Sequence, residues 1–143
     1  MKNYTCVLCA VDLSHENAQV VQGALRAVLG KPEQVHLIHA CEHPITGYGE
    51  AMGSNHRVSE QQIKQGVYPT LETLARQHHI PCEQIHIAFG RPATVIHTVA
   101  QNLGADLIVV GSHGKHGIQL LLGSTANTVV HGSQCDVLTI RIK

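Results

Sequence analysis

The sequence has no tryptophan, one phenylalanine and three tyrosines, and only 14% of its 143 residues are charged, with Lys plus Arg and Asp plus Glu balanced at ten each. A chain that grips nucleic acid needs a basic stripe or aromatic faces on which bases stack. Neither is present, so nucleic acid is not an expected partner. No apolar run approaches the roughly 18 residues of a membrane span. The run Cys6 to Val11 is too short for a secretory core, and Asp12 stands where a small-residue cleavage site would be. No membrane association and a cytoplasmic location are expected. The chain also lacks a G-x-G-x-x-G after its first apolar run and lacks a G-x-x-x-x-G-K-[ST], which argues against a dinucleotide fingerprint and a P-loop.

Cysteine is sparse and odd in number, with five residues (Cys6, Cys9, Cys41, Cys82, Cys135) scattered through apolar runs. Cys6 and Cys9 are spaced like a redox or zinc pair. Within a strand, however, positions three apart point to opposite faces, so their sulfurs should diverge. Buried structural thiols are expected. The twelve histidines are more unusual. His36/His39 and His78/His79 have no carboxylate or cysteine at ligand spacing, and no H-x-x-x-H lies on a predicted helix, so no metal site is expected.

What is present is a globular composition, 43% apolar, long enough for one core; residues 1–143 are expected to form a single domain. Residues 4 to 11 read as strand one. Ser14 is a candidate N-cap for a helix carrying Val21, Ala24, Leu25, Val28 and Leu29, stopped by Gly30-Lys31-Pro32. Strand two spans Val35 to Cys41. Glu42 to Arg57 follows as a long glycine-containing loop, expected to be mobile without ligand. Helix two opens at the capping box Ser59-x-x-Gln62 and carries Ile63, Val67, Leu71 and Leu74. Strand three is about Glu83 to Phe89. Helix three runs from Pro92 to Gly104. Strand four is Leu107 to Val110, and strand five is Asp136 to Ile142.

Alternating strands and helices predict an α/β fold: an open, parallel, five-stranded sheet with helices on both faces. Strands one and four are apolar at consecutive positions, as central strands must be. Strands three and five alternate, as edges do. The expected order is therefore 3-2-1-4-5. In such a sheet the connections leave strands one and four in opposite directions and open a crevice at their carboxyl ends, where open α/β folds bind ligands.

The glycine-rich stretch Gly111 to Thr128 faces that crevice. Backbone amides at Gly111 to Gly114 and at Gly123 to Ala126, with the hydroxyls of Ser124 and Thr125, suit an anion at a helix start. Hydrogen bonds to a charged group are worth about 1.5–3 kcal/mol each, so three or four give a gross of about 5–10. After association costs this falls short of the ~8 kcal/mol of micromolar binding. A phosphate ligand would therefore need an apolar anchor. Val11 and Ala40 could line a slot for a planar base, with Asp12 accepting from a ribose hydroxyl. Asp12, His113 and Ser124 do not form a hydrolase triad, because Ser124 sits in no G-x-S-x-G elbow.

A-V-D-L-S (10–14), L-I-H (37–39), D-L-I-V-V-G-S-H-G (106–114), G-S-T-A-N-T-V (123–129) and C-D-V-L (135–138) together resemble a single-domain universal stress protein over essentially the whole chain. The resemblance implies a Rossmann-like fold, a cytoplasmic role in stress survival and a homodimer paired through the last strand, residues 136–142. The apolar face of Leu138, Ile140 and Ile142 on an open edge points to the same pairing. Many members of that family bind ATP through G-x-x-G, nine residues, then G-[ST]; others bind none. Here Gly111-x-x-Gly114 is followed after eight residues by Gly123-Ser124. The candidate nucleotide-binding residues are Ala10, Val11, Asp12, Ala40, Val110, Gly111, His113, Gly114, Gly123, Ser124, Thr125 and Ala126. The expected ligand is ATP or AMP, with magnesium if ATP, bound without efficient turnover: no positioned base or second carboxylate is evident. The alternative is a nucleotide-free dimeric adaptor acting through protein contacts.

Overall fold

The computed structural model describes residues 4–13, 16–41, 59–112 and 128–142. Five strands form the sheet: β1 (Val7–Ala10), β2 (Val35–Cys41), β3 (Ile85–Phe89), β4 (Leu107–Ser112) and β5 (Asp136–Arg141). Their order is β3-β2-β1-β4-β5, and all four pairings are parallel. The helices are α1 (Asn17–Ala27), α2 (Glu60–Gln77) and α3 (Pro92–Leu103); residues 128–132 are also helical.

The strand order follows from burial. Leu107 to Gly111 of β4 and Val7 to Cys9 of β1 are buried at every position, whereas no residue of β3 or β5 is. Alternation divides the core in two. Val7, Cys9, Leu37, Leu107 and Val109 meet α1 and α2 through Val20, Val21, Ala24, Val67 and Leu71. Leu8, Ile38, Ile108 and Val110 meet Ile96 and Ala100 of α3 together with Val129. The Cys6/Cys9 pair diverges accordingly. Cys9 lies in the first cluster, its thiol pushed up to about 12 by burial, while the Cys6 thiol reaches toward the Leu103 carbonyl of α3. All five cysteines are free.

Around β1 and α1 three boundaries differ from the sequence reading, each for a local reason. β1 begins at Val7, not residue 4, because the N–H groups of Thr5 and Cys6 bond to the Asp106 carboxylate. Helix α1 starts at Asn17 with Glu16 at its N-cap position and no side-chain cap. Ser14 lies outside the described residues. At its other end α1 stops at Ala27, because Gly30 N–H closes back on the Leu25 carbonyl and forces Leu29 to φ 56° with its side chain 75% exposed. The expected capping box at Ser59 and Gln62 is present, and α2 continues through Pro69. Gly104 caps α3 at φ 69°, a left-handed conformation that favours glycine.

Candidate functional site

β1 and β4 are neighbours at the centre of the sheet, with Cys9 opposite Val109. Their carboxyl ends, Ala10-Val11 and Val110-Gly111, therefore finish side by side where β1 connects toward β2 and β4 toward β5. This is the switch point of the sheet, and its geometry is fixed by a residue that motif reading passed over. Asn17, the one buried polar residue among the described residues at 5% exposure, opens α1 and turns its amide back onto Asp12. Its Oδ1 accepts from the Asp12 N–H at 3.1 Å, and its Nδ2 donates to the Asp12 carbonyl. Both backbone polar groups of Asp12 are thereby held, and the carboxylate leaves the β1–α1 turn from a fixed point. Asp12 itself is half-buried.

His39, near the end of β2, donates Nδ1–H to the Val11 carbonyl at 3.0 Å. A carbonyl can only accept, so Nδ1 is the protonated partner in this bond. The bond ties the end of β2 to the residue before Asp12.

The candidate residues do not all share one face. Val11 continues the Val7/Cys9 side and is buried in the α1–α2 core at 6% exposure. Ala40 continues the Ile38 side, and Ala10 packs on the α3 cluster. The side chains of Val11 and Ala40 therefore do not form a slot between them, since alternation places them on opposite faces. The apolar shelf on the α3 side is instead made of small residues at three strand ends. Ala10 stands opposite Ile38, two positions before Ala40, and Ala40 stands opposite Ala88. Ala88, like Ala10, is partly buried against the α3 cluster. Val110 is buried on that same side.

Gly111 also has a packing part that its motif does not suggest. β4 does not end before it; Gly111 and Ser112 pair with Ile140 and Arg141 of β5. A Cβ on Gly111 would stand 2.8 Å from Ile142 Cδ1 and 3.0 Å from Val20 Cγ2. The glycine is required by packing between β4, β5 and α1. His113, Gly114, Gly123, Ser124, Thr125 and Ala126 lie outside the described residues, as does Glu42 to Arg57.

The aspartate of D-L-I-V-V has a structural task. Asp106 accepts from Thr5 N–H at 3.0 Å, Thr5 Oγ1 at 3.2 Å and Cys6 N–H at 3.1 Å. Burial pushes its carboxyl up, but these hydrogen bonds outweigh it and hold the group below the usual range. Far from the switch point, a cavity of about 430 Å³ opens at the amino ends of β4 and β5, with His97, Gln101, Ile108, Ser133, Gln134 and Cys135 in its wall.

A model of the universal stress protein family matches residues 3–141. The chain belongs to the universal stress protein family. A curated family member, universal stress protein A homolog 2 of Coxiella burnetii, is 40% identical over 145 residues, covering 100% of this chain and 99% of its own. Among solved structures, UspA of Lactobacillus plantarum superposes with a TM-score of 0.71 at 22% identity, covering 99% of this chain and 100% of that one. A universal stress protein solved in complex with cAMP superposes with a TM-score of 0.61 at 21% identity, covering 98% of each chain. These two likenesses are likenesses of fold. No helix among the described residues is long and apolar enough to cross a membrane.

Proposed function

We propose that this universal stress protein binds an adenine nucleotide, ATP or AMP, at the carboxyl ends of β1 and β4, and acts in the cytoplasm by its bound state without efficient turnover. The observation that carries the reading is the clamped Asp12 at the switch point, beside the shelf of Ala10, Ala40 and Ala88. Its carboxylate suits a ribose diol, and the small side chains leave room for a flat base. Phosphates would meet the segments Gly111 to Gly114 and Gly123 to Ala126, with magnesium accompanying ATP. The cAMP complex of a family member is consistent with adenine recognition. Slow turnover is expected because Asp12 is committed to the ribose end and the sequence offers no second carboxylate for a metal there.

Calorimetric titration of ATP with magnesium, and of AMP, into wild type and Gly114→Val tests the proposal. Saturable 1:1 binding that the bulky β-branched residue weakens supports it. The second reading, a nucleotide-free adaptor dimer, is favoured by β5, whose open edge carries Leu138 at 36% exposure. Self-pairing of residues 136–142 about a two-fold axis would cover that edge. Absence of heat at millimolar nucleotide, together with a dimer mass by sedimentation, selects this second reading.

A further inference from the structure

β2 and β3 bring together two histidines that are 50 residues apart in sequence. His36 Nδ1 and His86 Nε2 face each other at 3.0 Å as a hydrogen-bonded pair, with the ring planes at 29° and the centroids 5.2 Å apart. Both side chains are half-buried. His86 stands opposite Ile38, two residues beyond His36, so the bond crosses the β2–β3 ladder diagonally. β3 is an edge strand, hydrogen-bonded to the sheet through β2 alone and without a fully buried residue of its own. We propose that the pair is a proton-operated latch, which keeps β3 on β2 while the rings carry at most one added proton and loosens it when both are charged.

The proton count gives the latch its two steps. In the neutral pair one facing nitrogen donates its N–H and the other accepts with its lone pair. The donor ring's other nitrogen then carries a lone pair, and the acceptor ring's other nitrogen an N–H. A first proton enters at the donor ring's outer lone pair and leaves the bond in place, now charge-assisted. A second proton has only the facing lone pair to enter. It sets two N–H groups and two positive charges head to head at a separation held by the ladder, and the bond is lost. The two rings therefore titrate as a coupled pair.

The surroundings resist the charge. Burial pushes the His36 imidazole below its ordinary value and His86 beside it adds to the shift, while burial alone pushes His86 down. By alternation both rings lie on the α3 side of the sheet, where α3 brings one titratable side chain, His97, engaged with the Val129 carbonyl at 3.0 Å. β1 brings Cys6, whose thiol is pushed up by burial and by Asp106 and stays neutral. On the opposite face, His39 of β2 bonds to the Val11 carbonyl, and Glu72 and Arg76 of α2 pair with each other at 3.1 Å. Lys31, Glu33 and Glu83 are exposed in the turns that precede β2 and β3. Both folded values thus lie below the unfolded one of about 6.5. The stability that the pair contributes is fully present above about pH 6.5 and is lost as pH falls through the two folded values. Ala88, two residues beyond His86, belongs to the small-residue shelf, so loosening of β3 reaches that shelf whether or not it receives a base.

The test is an NMR titration of the full, nitrogen-15-labelled chain from about pH 8 to about pH 4, following imidazole nitrogens and amide exchange. In wild type, which needs no variant, one N–H···N pair should show a scalar coupling between two imidazoles. Its rings should titrate in two steps below about 6.5, the second at least about one pH unit under the first. The coupling should survive the first step and vanish at the second. Across the second step the protection of residues 85–89, corrected for intrinsic exchange, should fall at least about tenfold more than that of β1 and β4. His36→Gln and His86→Gln assign the signals, and neither can place two charged rings head to head. In each, β3 should lose no more protection than β1 and β4 over the same range. Two rings that titrate independently near 6.5 without a coupling would overturn the latch. So would β3 protection that stays level, that falls only together with the whole sheet, or that falls equally in the variants.

Discussion

Replacing Asn17 by alanine is the sharpest perturbation of the site. The substitution removes an acceptor that holds the Asp12 N–H at 3.1 Å and a donor to the Asp12 carbonyl, from a side chain only 5% exposed. Each hydrogen bond contributes about 1 kcal/mol net, and leaving a buried partner unsatisfied costs about 1–3. Alanine offsets about 0.5 kcal/mol of this as the better helix former. The net loss should be about 2–3 kcal/mol, which for a chain of this size lowers Tm by about 6–12 °C. Asn17→Asp should be worse above its pKa, because it keeps the acceptor, loses the donor and turns a carboxylate toward the Asp12 carbonyl. Urea unfolding with matched m-values measures both. A loss under about 0.5 kcal/mol for Asn17→Ala would mean that the turn holds Asp12 without the clamp.

Three further outcomes follow from positions away from Asp12. Leu29→Asn should stabilise the protein by about 0.5–1 kcal/mol in thermal or urea unfolding, since Leu29 holds φ 56° with its side chain 75% exposed, and asparagine tolerates that conformation better. Gly111→Ala should cost about 1–3 kcal/mol by overpacking against Ile142 and Val20, and a neutral result would show that the flexible Ile142 tip yields freely. The Asp106 carboxyl is held below its usual range in the folded state by the Thr5 and Cys6 hydrogen bonds acting against burial. Its contribution is fully present above the unfolded value of about 3.9 and is lost as pH falls through the lower folded value. The urea midpoint should therefore drop more steeply on acidification in wild type than in Asp106→Asn.

The sheet was legible because burial on both faces leaves a simple mark: consecutive apolar residues in β1 and β4, alternation in β3 and β5. The Ser59 capping box and the Gly104 cap were legible for the same reason, since each is a local geometry that few residue types satisfy. The base slot was misread by a failure of parity. Val11 shares its face with Val7 and Cys9, Ala40 with Ile38, and the strand period of two separates them. Gly111 carries two roles that sequence cannot separate, because a glycine that avoids a clash with Ile142 looks, in sequence, like one that admits a phosphate. The Asn17 clamp carries no motif, and only burial distinguishes it from an ordinary helix-start asparagine. The His36–His86 pair depends on the β2–β3 register, which no local pattern states.

The most direct measurement of the central claim is amide chemical-shift mapping of the labelled protein during titration with ATP and magnesium, and separately with AMP. The account predicts saturable shifts at Ala10, Asp12, Asn17, Ala40, Ala88 and the Gly111 to Gly114 segment, with little change around the cavity beside His97 and Gln134. Asp12→Ala should reduce the affinity about 10- to 100-fold, the worth of one hydrogen bond to a charged group. Shifts confined to the His97 cavity, or none at millimolar nucleotide, would contradict it.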